Sequence, residues 1–414
     1  MSLAAPAAIR RGTGEDAILG IVPKEVFSPA TIEEAAAVLE EQSRARASVG
    51  FVGGGTSLGL GRPPRRLDAV IRTERLTRIV EHAPSDQIIV AEAGITLAGL
   101  QRAVAAHGQR LALDPPLSER RTIGGLLATN GFGPRRARYG SLRDLIIGVS
   151  LVRADGVLAR GGGKVVKNVA GFDLPKMMVG SLGTLGLVAT ATFRLHPLPD
   201  SDITLVAPAR TARGVRELVS AMRGAQLEPV AVAALSAEKG LDLGIRFEGF
   251  QEGVKEQVDR TLALAAKNAG ACDALDEASA AAFWARHDAA RTAGPLRAKV
   301  AMIPSAFEEF FERFLPTLRA AFSEATLAIY PTLGICFFSG VPSDVVAAAA
   351  AMASVRGFLA PTGGSFVLEE APDDVRAHTD PWGPPPASFA LMRELKDRLD
   401  PEGRLNPGRF VGGL

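Results

Sequence analysis

Ala47-Ser48-Val49-Gly50-Phe51-Val52-Gly53-Gly54-Gly55-Thr56-Ser57 is a short apolar run that stops on three glycines and two hydroxyls. The run reads as a strand and its end as a tight bend. Glycines let backbone N–H groups turn inward on a diphosphate, and the Thr56 and Ser57 hydroxyls add donors. A glycine turn that serves only the path of the chain fits the same residues. Two familiar phosphate loops do not fit. A Walker loop requires Gly-Lys-Ser/Thr after four variable residues, and a G-x-G-x-x-G turn counted from Gly53 requires glycine where Leu58 stands.

The surrounding sequence alternates helix and strand. Thr31 and Glu34 form a capping box ahead of Ala35, Val38 and Leu39, which predicts an amphipathic helix leading into the strand. Ile88 to Ala93 reads as a second strand and Leu97 to His107 as a helix stopped by Gly108. Residues 114–140 are rich in Pro, Gly and Arg and predict a functional loop without core elements. Within them Thr122-Ile123-Gly124-Gly125 and Thr129-Asn130-Gly131 form a second small-residue cluster, followed by Tyr139-Gly140, whose ring could meet a planar ligand. Ile146 to Val152 and Val157 to Ala159 predict a hairpin across Ala154-Asp155-Gly156.

Beyond residue 200 the glycine-rich loops thin out. Helices are predicted over 213–223, 253–268, 307–322 and 344–353, with strands over 243–247, 325–330 and 334–339. This pattern predicts an antiparallel sheet with helices on one face. A last helix over 388–399 precedes Asp400-Pro401-Glu402-Gly403 and Leu405-Asn406-Pro407-Gly408-Arg409-Phe410. With 414 residues, more than one core is required.

Composition removes several function classes. A net charge of +2 without a dense basic run gives no footprint for nucleic acid. Cys272 and Cys336 form no CxxC pair, which leaves a disulfide framework and a cysteine-ligated cluster unsupported. The first residues do not read as a signal peptide, and no apolar stretch approaches the roughly 20 residues that span a bilayer. The expectation is a cytoplasmic chain without direct membrane insertion, attached to a membrane only through a partner.

The third cluster is Lys164-Val165-Val166-Lys167-Asn168-Val169-Ala170-Gly171-Phe172-Asp173-Leu174, then Gly180-Ser181-Leu182-Gly183-Thr184-Leu185-Gly186-Leu187-Val188. Together with Asp114-Pro115-Pro116 and Asn406-Pro407-Gly408-Arg409, these residues resemble the PCMH-type FAD-binding domain of the vanillyl-alcohol oxidase superfamily. Within that superfamily they are most similar to the FAD-binding chains of bacterial glycolate oxidases. The resemblance covers about residues 27–199 and 388–411 and is weak across the middle.

It implies an α+β protein: a two-part FAD-binding domain over 1–199, an α/β cap or substrate lobe with an antiparallel sheet over 200–370, and a 371–414 segment returning to the FAD domain. It implies that Gly53, Gly54, Gly55, Thr56 and Ser57 wrap the pyrophosphate of FAD and that Pro115 and Pro116 lie near the adenosine half. Thr122, Gly124, Gly125, Asn130, Tyr139 and Gly140 would line the same channel. Leu187 and Val188 would read the adenine edge, and Asn406 and Arg409 would lie near the isoalloxazine. Covalent relatives attach flavin through a histidine near this bend, where Thr56 and Ser57 stand here, so noncovalent FAD is expected.

The implied function is oxidation of glycolate or a similar small 2-hydroxy acid by hydride transfer to FAD. The implied partners are a second FAD-binding subunit and an iron–sulfur subunit. An FAD-binding structural or electron-relay subunit, with oxidation done by its partner, is the alternative. Arg297 and Lys299 are the candidates for a carboxylate clamp, although solvated surface charges fit them as well. His287 and His378 lack metal-ligand spacing and read as surface or packing residues.

Overall fold

A computed structural model describes residues 7–164, 171–209, 211–237, 240–268 and 271–414. Residues 165–170 of the third cluster lie outside them. The chain is an α+β protein in which an N-terminal region, with a four-stranded sheet, a five-stranded sheet and a two-stranded pair, faces one large antiparallel sheet.

The first sheet runs Ala8–Arg11, Glu25–Ser28, Ala69–Arg72, Val49–Val52, with the last two strands parallel. The Thr31 side chain accepts from the Glu34 N–H at 3.1 Å and starts the helix Ile32–Arg44, as the capping box predicts. That helix buries Ala35, Val38 and Leu39 against Val49 and Ile71. The chain therefore enters the glycine bend from the carboxyl end of a parallel strand, where open sheets present their ligands. The second sheet runs Ile79–Ala83, Ile88–Glu92, Leu187–Arg194, Ile146–Val152, Leu158–Gly162.

Residues 114–140 hold more structure than their composition predicts. Ile123–Thr129 is a short helix, capped by Thr122 accepting from the Gly125 N–H, and it buries Ile123, Leu126 and Leu127. The apolar triplet outweighs the two glycines because tertiary burial overrides intrinsic propensity.

The large sheet has eight strands in the order Asp273–Ala274, Ser201–Ala209, Gly240–Gly249, Ala231–Ala237, Phe322–Tyr330, Ile335–Pro342, Leu296–Ala301, Ser365–Glu370. Every neighbouring pair in it is antiparallel. One face packs under the helices Ala212–Gly224, Gln251–Asn268, Leu315–Ala321 and Val345–Leu359. The other face carries Ala233, Leu235, Tyr330 and Phe337 and packs on Phe132 of the N-terminal region.

The helix expected over 307–322 is broken. A π-turn occupies Phe310–Phe314, and α-helix resumes at Leu315–Ala321 around Pro316, which has no N–H to complete the regular ladder. Phe322 already belongs to a strand. Residues 345–362 form a longer apolar helical stretch than the sequence pattern predicts, 18 residues with a mean hydropathy of 1.4. Its Ala348, Met352, Val355 and Leu359 are buried on the large sheet. The helix Glu277–Thr292, capped by Asp276, is an addition to the elements expected from sequence.

Two sets of contacts hold the parts together. The tail returns to the glycine-bend strand: Val49 donates to the Arg404 carbonyl at 2.9 Å, and Asn406 donates to the Val49 carbonyl at 2.8 Å. Buried Lys396 donates to the carbonyls of Thr184 and Leu405 and to Asp400. Between the lobes, fully buried Glu248 pairs with Arg110 and Arg135, with Arg246 at 3.2 Å.

Burial pushes the Glu248 carboxyl up, but Arg110 and Arg135 more than offset this and hold it below the usual range. Its stabilising effect is present at neutral pH and lost as pH falls through its titration. Glu248→Leu strands two arginines in the interface and is expected to cost about 3–5 kcal/mol. A clear fall in the urea midpoint at pH 7, shrinking as pH is lowered, is the expected result.

Candidate functional site

The glycine bend and the Thr122 bend press against each other. A Cβ at Gly53 would lie 2.2 Å from the Thr122 hydroxyl oxygen, one at Gly54 1.7 Å from the Arg120 carbonyl oxygen, and one at Gly124 2.9 Å from the Ala93 Cβ. No side chain fits at these positions. A groove results, with Gly53, Gly54, Gly55, Thr56 and Ser57 on one wall and Thr122 and Gly125 on the other, closed by Asn406 and Arg409. It continues past Gly124 to Leu187 and Val188 in one direction, and past Thr129 to Asn130 in the other.

The bend is held from outside by two arginines. Arg409 donates to the carbonyls of Leu58 and Leu60, and Arg376 to those of Gly59 and Gly61. Asn406 donates to the Leu182 carbonyl at 2.9 Å. Along the groove the Oδ1 atoms of Asn130 and Asn406 and the Nε atoms of Arg121 and Arg409 are buried without a hydrogen-bond partner among the described residues. Buried polar atoms left in that condition each cost roughly 1–3 kcal/mol, and a long polar ligand in the groove offers them partners. Glycine backbones on both walls, together with these atoms, suit a dinucleotide diphosphate.

Beyond Asn130 the groove opens into a cavity of about 250 Å³ between the lobes. Strand alternation builds its far wall. In Leu296–Ala301 the residues Leu296, Ala298 and Val300 enter the core, so Arg297 and Lys299 point the other way, into the cavity. Arg297 is committed to the Thr292 carbonyl at 3.2 Å and to Glu370 at 3.3 Å. Lys299 has no hydrogen bond or ion pair among the described residues. Burial holds its ammonium below the usual lysine range, opposed by Glu369 and reinforced by Arg136 and Arg291.

Arg121 and Arg291 complete the cationic lining. Burial brings the Arg121 guanidinium down to about 10, with Arg291 and Arg297 adding to the effect and Glu369 opposing it, so it stays charged at neutral pH. Among the described residues Arg291 meets only neutral groups, donating to the Phe132 carbonyl at 2.7 Å and to the Tyr330 hydroxyl at 3.0 Å, and it lies 3.8 Å over the Phe337 ring. His287 Nε2 lies 2.8 Å from the same Tyr330 oxygen and fixes it from behind. His287 is thus a buried packing residue, and exposed His378 has its ring Nδ1 2.9 Å from the Asp374 carbonyl.

The structure therefore gathers Gly53, Gly54, Gly55, Thr56, Ser57, Thr122, Gly124, Gly125, Asn130, Leu187, Val188, Asn406 and Arg409 along one groove, with Arg297 and Lys299 at its end. Four of the expected residues stand apart from these linings. Pro115 and Pro116 are buried but do not line the groove. Tyr139 stands between the lobes, its hydroxyl accepting from Arg110 at 2.8 Å and its ring 4.9 Å from His196, and Gly140 packs on Asp144. A tyrosine next to a glycine gives no sign of which surface it faces.

Arg121, Arg291 and Glu369 escaped the reading of the sequence. Arg291 could have been found from Phe283, His287 and Arg291, which repeat every four residues and are buried on one helix face. Arg121 carries no comparable signal, since Glu119-Arg120-Arg121 reads as a solvated charge run.

Residues 23–162 match the FAD binding domain family, and residues 384–410 match the C-terminal domain of FAD linked oxidases. The chain is 32% identical over 225 residues to the D-lactate dehydrogenase of Archaeoglobus fulgidus, covering 54% of this chain and 50% of that protein. It is 35% identical over 197 residues to glycolate oxidase subunit GlcE of Escherichia coli, covering 47% of this chain and 54% of that protein. The match thus spans about half the length of these two relatives. The fold superposes on alkyldihydroxyacetonephosphate synthase with a TM-score of 0.72 at 17% identity, over 94% of this chain and 76% of that one. A methyl at Gly54 would collide with the Arg120 carbonyl, so Gly54→Ala is expected to weaken FAD binding by about a hundredfold or more, read as flavin lost on gel filtration. On the match of residues 23–162 to an FAD binding domain, FAD is the cofactor of this chain.

Proposed function

We propose that this chain oxidises a small 2-hydroxy acid, with FAD held noncovalently, as one subunit of a glycolate-oxidase-type complex. The observation that carries the proposal is the trio Arg121, Arg291 and Lys299, three cations without a carboxylate partner among the described residues, around one cavity at the end of the FAD groove. Such a cavity selects a small anion. Bound FAD would supply the hydride acceptor. The chain's own residues bind and orient: Lys299 and the two arginines take the substrate carboxylate, and Tyr330 with His287 holds Arg291 in place. Phe132, Phe337 and Val367 keep water from the α-carbon. The described groove-lining residues include no histidine, cysteine or tyrosine, which supports a noncovalent cofactor.

Cys336 is fully buried, and neither cysteine is placed to help ligate a cluster, so electrons would leave through a partner carrying iron and sulfur. The relatives described as glycolate oxidase subunits GlcE and GlcD support such an assembly, with a second FAD-binding subunit beside this one.

The test is anaerobic addition of glycolate, D-lactate and larger 2-hydroxy acids to the purified chain. Bleaching of the flavin is expected, and acid precipitation should release all of the FAD. Lys299→Met should raise KM about 10–100-fold with a smaller change in kcat, as loss of a charged hydrogen bond predicts. A flavin that stays oxidised alone, yet is reduced once partner subunits are added, would instead favour the electron-relay role.

A further inference from the structure

The Ser365–Glu370 strand lines the cavity irregularly. Phe366 and Leu368 enter the core and Val367 faces the cavity, as alternation requires. Opposite it, Arg297 pairs with Glu370 while Ala298 pairs with Leu368, so Glu369 is the extra residue of a β-bulge. A bulge adds a residue without a cross-strand partner and re-aims the side chains beside it. Alternation alone sets Glu369 on the cavity face with Val367, and the bulge turns Glu370 out of the core as well.

The two carboxylates then part company. Glu370 is tied to Arg297 at 3.3 Å and to Arg376 at 3.4 Å, and it sits so close to the bend that a Cβ at Gly59 would lie 2.2 Å from its oxygen. Glu369 lines the cavity with no hydrogen bond or ion pair among the described residues. The charged groups around it are Lys299 and Arg297 on the adjacent strand, Arg291 on the Glu277–Thr292 helix, Arg121 from the Thr122 bend, and Glu370 with its partner Arg376. An anion-binding cavity with one uncommitted carboxylate needs a reason for that carboxylate, because it opposes the binding of an acid.

We propose that Glu369, on the cavity face of its strand beside Val367, is the general base of the oxidation. The inference rests on the 2-hydroxy acid reading above. With the substrate carboxylate on Lys299 and the arginines, the α-carbon and its hydroxyl project toward Glu369. As the Cα–H bond breaks and its electron pair leaves with the hydrogen to FAD, the O–H bond breaks and its proton passes to a Glu369 oxygen. The electron pair left on the hydroxyl oxygen closes the carbonyl, giving a 2-oxo acid, two-electron-reduced FAD and a protonated Glu369 that loses its proton to solvent. Lys299 cannot play this part while protonated, since an ammonium has no lone pair.

The experiment uses the FAD-loaded full chain, stopped-flow flavin reduction across pH, and oxalate binding read from the flavin absorbance. Oxalate is the probe because it carries the carboxylate but no hydroxyl proton. Glu369→Gln should slow flavin reduction by about 10²–10⁴-fold and abolish the acid limb of the rate profile. It should bind oxalate at least as tightly as the wild type, since a repelling charge has gone, and Glu369→Asp should restore the limb and part of the rate. Wild-type rate with an unchanged limb in Glu369→Gln overturns the proposal. So does loss of oxalate binding in both variants, which assigns Glu369 a structural role. Either result leaves the 2-hydroxy acid reading standing, whereas a wild-type chain inert to every 2-hydroxy acid sinks both.

Discussion

Two backbone bends approach so closely that Gly53 and Gly54 have no room for a β-carbon, and the rest of the site is arranged around that contact. Gly53 and Gly54 lie against Thr122 and Arg120, and Gly124 lies against Ala93. The contact turns a strand-to-strand connection and the turn that opens a short helix into the walls of one groove. It also explains why the tail must return. A glycine-rich bend has high conformational freedom, which ordering must overcome, and the order comes from Arg409, Arg376 and the pairing of residues 404–406 with Val49.

The large sheet contributes by its two-residue period. One set of side chains builds the core under the helices, and the alternate set faces the FAD-binding region. Arg297, Lys299, Phe337 and Val367 belong to the second set, so cavity lining and core are specified by the same strands. Glu369 follows the same period as Val367, and where the period fails, just beyond it, Glu370 is turned out of the core toward Arg297 and Arg376. The interlobe pairing of Glu248 with Arg110 and Arg135 keeps this face in register with the groove.

Several features were legible from neighbouring residues alone. The capping box at Thr31, the strand ending in Gly53, the helix stopped at Gly108 and the tail helix before Asp400 all follow from local propensity and turn chemistry, and the structure has an element at each. The order of the glycine clusters pointed to FAD, and the groove assembles most of the residues that the resemblance implied. Tyr139 and the Pro115-Pro116 pair stand apart from that groove lining, because a side chain's proximity in sequence to a binding loop does not fix which face of that loop it occupies.

The sequence by itself determined where backbone must bend without side chains and where strands and most helices begin, since those depend on residues a few positions apart. Only the tertiary structure decided which charges meet at the cavity. Arg121, Arg291, Lys299 and Glu369 come from four segments spread over some 250 residues. Their juxtaposition depends on how a helix, two strands and a bend pack, and no local pattern of charge encodes the desolvation and mutual fields that arise once they do.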